Sequence, residues 1–369
     1  MQAVILAAGR STRTYPLTSS RPKPLIPIWD RPLLEHQLAQ LDGIAQEAIL
    51  VVGYRREQIE AHLGSEHRGI KIRYVEQVTQ RGTADAVLAA RDFVRDRLLI
   101  LNGDDFYHRE DLSALAEGGR GLLVTQAPDP HNRAVVEIVD DAVTKIVEKP
   151  PDAAPGAWCS VGGYCVEPGD LSQLDDLPLS SRGELELPDF IGRLMDRARV
   201  RPQRIGQWWL PLTYAWDVLT AINTIWCEEG RARDLGLSDH RGELPRGCTV
   251  EGPVWIADGV HLSEDVRIVG PSSIGPGCVV GAGTVLDNVA LFDDVAIGAG
   301  SIVESSVLGA KVRVGAGTRI ESRPGQSLEI KVKEASVVPE LARLGAVIGD
   351  NNQLGDNTVV PAGSLIPEA

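Results

Sequence analysis

Aromatic residues make up only 5% of the 369 residues, and no apolar run approaches the roughly 20 residues that span a bilayer. A transmembrane helix is therefore not expected. Lys/Arg-rich runs are also missing, and the balance of 51 acidic to 37 basic residues leaves a formal charge of −14. Nucleic acid and anionic membrane are poor partners for such a chain. The five cysteines (Cys159, Cys165, Cys227, Cys248 and Cys278) form no Cys-x-x-Cys pair and have no nearby histidine pairs. That spacing argues against zinc and against a disulfide framework, and for buried free thiols in a reducing compartment. Strand-like residues begin at the N-terminus without a secretory leader, so the expected location is the cytoplasm.

What is present divides into two grammars. Up to about residue 230, short aliphatic strands (3–6, 48–52, 70–75, 97–101) alternate with helical segments near 32–41, 57–63 and 83–93. This alternation predicts an α/β domain, Rossmann-like, built on a mainly parallel sheet. Ligands of such sheets bind beyond the carboxyl ends of the strands, so the loops at 7–23, 76–83 and 102–105 converge on one crevice. After about residue 245, an aliphatic or aromatic residue falls every sixth position: Val250, Ile256, Leu262, Ile268, Ile274, Val280, Leu286 and Phe292. The series resumes at Ile297, Val303, Leu308, Val314 and Ile320, and again at Ile348, Leu354, Val360 and Ile366. A six-residue period with glycine at the turns predicts a parallel β-helix. The gap at 323–346 reads as an ejected loop or short helix. The domains expected are 1–228, a linker at 229–247, and 248–369.

The opening stretch, AVILAAGRSTRTYPLTSSRPKPLIPI, carries the densest chemistry. A strand runs into Leu6, Ala7, Ala8 and Gly9, whose small side chains let backbone N–H groups approach a polyphosphate. Arg13 and Lys23 follow, framed by Pro16, Pro22 and Pro24, as fixed cations for phosphate charge.

LAAGRSTRTYPLTSSRPKP resembles the opening motif of the sugar-1-phosphate nucleotidyltransferase family, and the C-terminal half is similar to the left-handed β-helix that many members carry. Ser11 stands where that family usually has glycine. The resemblance implies that Arg13 holds the leaving pyrophosphate, and that Lys23 contacts the nucleotide and sugar phosphates. It also implies that Gln77, Gly82 and Thr83 read the base. Gln77 offers both a donor and an acceptor to a pyrimidine edge, which with Ala7-Ala8-Gly9 leans towards UTP or dTTP. In LILNGDDFY, Asp104 matches the family's Mg²⁺ ligand, while Asp105 is expected to face away. In VTKIVEKP, Glu148 and Lys149 match the segment facing the sugar and its phosphate. The glutamate of RGELELPDF either shapes the sugar pocket or caps the next helix.

Three departures accompany the match. Ala134 and Ser160 stand where glycine and asparagine are common on the sugar side. Pro211 falls where the second metal aspartate usually sits, and proline cannot bind metal. Either Asp217, six residues later, substitutes through a shifted loop, or Mg²⁺ is held by Asp104, phosphates and water. In the β-helix, Ala299 falls where acetyltransferase relatives place a histidine base and Ile302 falls near their tyrosine. The remaining candidate, His261, lies in the wrong segment, so a scaffold (most simply a trimer) is expected there. The expected reaction joins a hexose or N-acetylhexosamine 1-phosphate to UTP or dTTP, giving an NDP-sugar and pyrophosphate. Two rivals remain: a non-catalytic nucleotide-sugar-binding regulator, motivated by Pro211, Ala134 and Ser160, and a bifunctional enzyme that also acetylates.

Overall fold

The aliphatic runs at 3–6, 48–52 and 97–101 become strands with side chains buried on both faces, as a sheet covered by crossover helices requires, while the run at 70–75 buries only alternate residues. A computed structural model describes residues 1–127, 129–227, 231–239 and 244–369. In chain order these build β1 (Gln2–Ala7), α1 (Leu33–Gln40), β2 (Glu47–Val52), α2 (Arg56–Leu63) and β3 (Ile70–Glu76). Then come α3 (Thr83–Ala90), β4 (Leu98–Asn102), β5 (Asp105–Tyr107) and α4 (Arg109–Gly118). β6 (Gly121–Gln126), β7 (Ala134–Val139), β8 (Ala142–Glu148), β9 (Trp158–Val166) and α5 (Leu187–Met195) follow. β10 (Arg201–Arg204), β11 (Trp209–Pro211) and α6 (Asp217–Cys227) complete this half.

The main sheet has ten strands, with the central order β8-β7-β9-β4-β1-β2-β3. β4, β1, β2 and β3 are parallel, as expected of strands joined through helices. Beyond β4 the sheet turns antiparallel, which the mainly parallel expectation did not include: β9 runs against β4, β6 and β7. One of the antiparallel pairs is a tight hairpin. Asp140 and Asp141 both take positive φ (49° and 54°), the backbone of a two-residue hairpin joining β7 to β8. A core of Val4, Ile49, Val51, Val87, Ile100, Val124 and Phe190 lies under α3 and α5.

By contacts the chain forms two compact units, one of residues 1–9 and 34–211, the other of residues 10–33 and 212–369. In the second unit the hexads close into a left-handed β-helix of three parallel sheets with six, six and five strands. Ile256, Ile268, Ile274, Val280, Leu286, Ile297, Val303, Leu308, Val314, Ile320, Ile348 and Val360 share its core. Thr284, Ser301 and Thr318 are buried at one corner, each donating its hydroxyl to a glycine carbonyl of the next coil. The gap at 323–346 is an ejected antiparallel hairpin, residues 330–332 against 335–337.

One frame differs from the expected series. The core position after Leu286 is taken by Leu291, five residues on, and Phe292 is buried outside that core. The short hexad turns at Asn288, which takes φ 53°. The cysteines are all free, but Cys227 is exposed and Cys248 half-buried, so burial describes only three of the five. Of the expected linker, residues 229–230 and 240–243 lie outside the described residues, and Arg231–Asp234 is a helical turn.

Candidate active site

In the first unit, the carboxyl ends of β1 and β4 meet backbone to backbone. Gly103 N–H donates to the Leu6 carbonyl at 3.0 Å, and a Cβ on Gly103 would stand 2.6 Å from that same oxygen. The Ala8 carbonyl accepts from Tyr54 N–H at 3.2 Å and from Gln80 Nε2 at 2.5 Å. Ala7 and Ala8 are buried and Gly9 is exposed, so the strand end forms a floor nearly free of side chains. Gln80 was not singled out by sequence reasoning; it lies in the loop that was.

Gln77 is buried at the end of β3, and its Nε2 donates to the Gly82 carbonyl (3.1 Å) and to Asp85 (2.9 Å). Gly82 has φ +116° and lies against the backbone of Leu185. Leu185 N–H donates to the Arg81 carbonyl at 2.7 Å and Ala84 N–H to the Leu185 carbonyl at 2.9 Å. Thr83 Oγ1 accepts from Leu187 N–H at 3.0 Å. The loop at 76–83 and the RGELELPDF segment are therefore stitched together.

Asp104 is half-buried in the turn between β4 and β5. Asp105 begins β5 and points inward, accepting from Asn102 Nδ2 and Tyr107 Oη, both at 3.2 Å. Asp104 lies within the turn and Asp105 opens the next strand, so the two adjacent acids do not alternate along one strand. Pro211 at the end of β11 pairs in register with Asp105. Beside the Asp104 turn, β11 thus presents a proline ring and no second carboxylate.

On the other flank, Glu148 is half-buried and burial pushes its carboxyl above the ordinary range, with Lys149 opposing. Lys149 Nζ lies 3.3 Å from Glu148, and Arg182 lies 3.6 Å from it. Arg182 also binds the buried Glu186 at 2.5 Å and the half-buried Glu184 at 3.3 Å. Sequence reasoning weighed the glutamate after Gly183 and passed over its neighbours Arg182 and Glu186. The buried acid is Glu186, which stands at the start of α5 without capping it through its side chain. Ser160 is buried and donates to Tyr164 Oη at 3.1 Å. Burial, reinforced by Glu148 and Glu186, drives the Tyr164 hydroxyl well up.

The second unit holds the cationic loop. Ser11 takes the left-handed conformation (φ 48°, ψ 52°), which explains why glycine suits that position. Its carbonyl accepts from Thr14 Oγ1 (2.7 Å) and Thr18 Oγ1 (3.0 Å), closing the loop on itself. Arg13 is exposed, whereas Lys23 is buried in a 3₁₀ turn, Lys23–Leu25, entered through Pro22. Asp217 Oδ2 accepts from Thr213 N–H (2.7 Å) and Tyr214 N–H (2.8 Å), holding the entry to α6. Burial raises its pKa to about 6 against the pull of those N–H groups and of Lys23.

A testable pH dependence follows from Asp217. Its folded pKa lies above the unfolded value, so its contribution to stability is complete below about pH 4 and is lost as pH rises through about 6. Asp217→Asn keeps an acceptor for the two N–H groups and removes the buried charge. Because the side chain retains some solvent contact, the variant is expected to gain about 1–2 kcal/mol over the parent at pH 8. About half of that gain should remain at pH 5. Urea unfolding in EDTA at both pH values reads it, and an equal difference at both would refute the assignment.

In the β-helix, Ala299 is exposed at a corner between two glycines, and His261 is exposed on a different coil. Among the described residues no three His, Cys, Asp or Glu side chains converge as a metal cage, and no helix is long and apolar enough to cross a membrane.

The nucleotidyl transferase family matches residues 2–235, and the GMPPB C-terminal domain matches residues 250–369. A glucose-1-phosphate thymidylyltransferase of Streptomyces griseus is 30% identical over 365 residues, covering 96% of this chain and 99% of that protein. The bifunctional protein GlmU of Methanococcus maripaludis (strain C7) is 31% identical over 264 residues, covering 71% of this chain and 62% of its own. The chain thus spans about three-fifths of the length of such curated relatives. A solved UDP-glucose pyrophosphorylase complexed with UDP-glucose superposes with a TM-score of 0.55 at 18% identity, over 61% of this chain and 98% of that one. At that identity the likeness is one of fold.

Proposed function

The chain belongs to the nucleotidyl transferase family, and from that premise we propose that it makes an NDP-sugar and pyrophosphate from UTP or dTTP and a hexose or N-acetylhexosamine 1-phosphate. The observation that carries the reading is the bare backbone floor at the ends of β1 and β4, with the Gln77 amide just past the end of β3 and the Asp104 carboxylate in the turn after β4, all at the carboxyl ends of parallel strands. Ligands of open α/β sheets bind at this end.

In the proposed reaction a sugar-phosphate oxygen attacks the α-phosphorus in line. The bond from that phosphorus to the β-phosphate bridging oxygen breaks, and pyrophosphate carries off the electron pair. Catalysis of such a transfer is positioning and charge neutralisation. Leu6 to Gly9 cradle the triphosphate, Arg13 holds the departing pyrophosphate, and Lys23 neutralises the transferred phosphate. Gln77, Gly82 and Thr83 bind the base; Glu148 accepts from sugar hydroxyls, Lys149 faces the sugar phosphate, and Ser160 stands behind them.

Members of this family generally use a divalent metal, and we assign Mg²⁺ here. Asp104 would hold it, with substrate phosphates and water completing its shell. One carboxylate without a protein cage suits Mg²⁺, which keeps waters and binds through one or two carboxylates plus phosphates. The ion would supply neutralisation of phosphate charge. Asp217, with Oδ2 engaged by the backbone, serves this site by ordering the ground beside Lys23. Acetyl transfer is not proposed, since Ala299 offers no base.

The test is pyrophosphate release with Mg²⁺ across UTP, dTTP, CTP, ATP and GTP against several sugar 1-phosphates. Turnover is expected with a pyrimidine nucleotide. Tight binding of nucleotide sugar with no turnover for any pair would favour the non-catalytic regulator.

A further inference from the structure

The loop bearing Arg13 and Lys23 springs from β1, yet its residues 10–33 pack within the same compact unit as the β-helix. The reason lies two residues before Lys23. Arg21 places its guanidinium 2.5 Å from Asp350 Oδ2, and the hydroxyl of Ser20 donates to the same oxygen. The guanidinium also lies over the Phe292 ring, 5.0 Å from its centroid. Both charges are largely buried, with 16% of the Arg21 and 8% of the Asp350 side chain exposed. Asp350 is itself held, since its Oδ1 accepts from Ala310 N–H at 2.8 Å.

Phe292, Ala310 and Asp350 belong to corresponding corners of three successive coils, just past the inward residues Leu291, Leu308 and Ile348. The short hexad before Leu291 is what frees Phe292 to face Arg21. From this anchor to Lys23 the chain has little freedom. Pro22 fixes φ at −71°, Pro24 follows Lys23, and Leu25 N–H and Ile26 N–H close onto the Pro22 and Lys23 carbonyls at 2.9 and 3.0 Å. A shift of Arg21 is therefore passed to Lys23.

We propose that the β-helix corner formed by Phe292 and Asp350 is a positioning element for the nucleotidyl-transfer site. Through Arg21 it fixes where Lys23 stands. Asp350, Phe292 and Arg21 touch no reacting atom; they act through the backbone of the phosphate loop. The inference rests on the reading of that loop given above. It makes the C-terminal coils a determinant of where the Lys23 turn is held within its own unit.

The experiment compares the full-length protein with Asp350→Asn, Arg21→Met and the double variant, well below their melting temperatures. Asparagine keeps an acceptor for Ala310 N–H, and Asp293 remains near Arg21, so the fold should persist. Misplacing a catalytic group by a fraction of an ångström to one ångström costs roughly ten- to a hundredfold in rate. We expect kcat to fall by that factor in each single variant while KM stays within about twofold, because the lost contact matters most in the transition state. The double variant should be no slower than the slower single one, and Asp350→Glu should recover part of the rate. A kcat for Asp350→Asn within twofold of the parent, or losses that multiply in the double variant, would overturn the proposal. If Asp350→Asn does not fold, Phe292→Leu carries the same test. If the parent protein turns over no substrate pair, the transferase reading itself has failed. Hydrogen exchange over residues 10–28 then decides the latch: faster exchange in Asp350→Asn supports it, and unchanged exchange sinks it.

Discussion

Lys23→Ala is expected to lower kcat about 10²–10³-fold, the loss found when one preorganised electrostatic donor is removed from a transition state. The side chain is buried and framed by Pro22 and Pro24, so its ammonium does not have to be gathered from solution at the moment of reaction. Nothing else in that turn replaces it; Arg13 is exposed ten residues earlier, within the Ser11–Thr18 hydrogen-bonded loop. The substitution acts a second time through Asp217. Lys23 holds that carboxyl down against the pull of burial, so without it Asp217 should titrate higher still. Lys23→Arg should rescue poorly, since the larger planar guanidinium must enter a position that buries the lysine side chain. Steady-state pyrophosphate release measures the loss, and a Lys23→Ala enzyme within threefold of the parent would remove Lys23 from the mechanism.

The parts of this molecule that were legible in the sequence are those set by short-range periodicity. β1, β2, β3 and β4 fall within a residue or two of the expected aliphatic runs, and α3 starts at the expected Thr83. These segments have one strong period each and clear glycine or threonine punctuation. The hexads of the β-helix were equally open to reading, because every coil repeats the same burial problem. The misreading at Phe292 is instructive. A five-residue step from Leu286 to Leu291 and a six-residue step to Phe292 each reach a large apolar residue, and the periodicity alone does not choose between them; in the fold Leu291 joins the core and Phe292 lies against Arg21, more than 250 residues away in sequence.

Pairing over such distances was the part hidden from sequence reasoning. Arg182 could be seen beside a recognised Gly-Glu, but its contact with Glu148 depends on how β8 and the segment before α5 meet. The antiparallel half of the sheet was missed for a similar reason: a two-aspartate hairpin is a weaker signal than a strand–helix alternation. The divergence of Asp104 and Asp105 was expected from strand alternation. That Asp104 sits in a turn while Asp105 opens β5 became visible only in the fold.

Gly82→Ala should be the most damaging small substitution in the first unit. The added Cβ would lie 2.3 Å from the Leu185 carbonyl oxygen and 2.7 Å from its nitrogen, and these are backbone atoms that cannot swing aside. The residue also sits at φ +116°, a region that costs an L-residue roughly 1–3 kcal/mol. Relief would require parting the strand-like junction in which Leu185 N–H meets the Arg81 carbonyl and Ala84 N–H meets the Leu185 carbonyl. We expect a loss of about 2–4 kcal/mol of stability, the scale of backbone strain combined with overpacking. Nucleotide KM should rise, since the Gly82 carbonyl orients the Gln77 amide. Gly64→Ala supplies the control. It has φ +64° and ψ −145° with nothing within 4 Å of the added carbon, so it should cost only the conformational term, roughly 1–3 kcal/mol, without a collision. Urea unfolding of both variants separates strain from collision. If Gly82→Ala is no less stable than Gly64→Ala, the close approach of Leu185 is not the constraint that keeps glycine there.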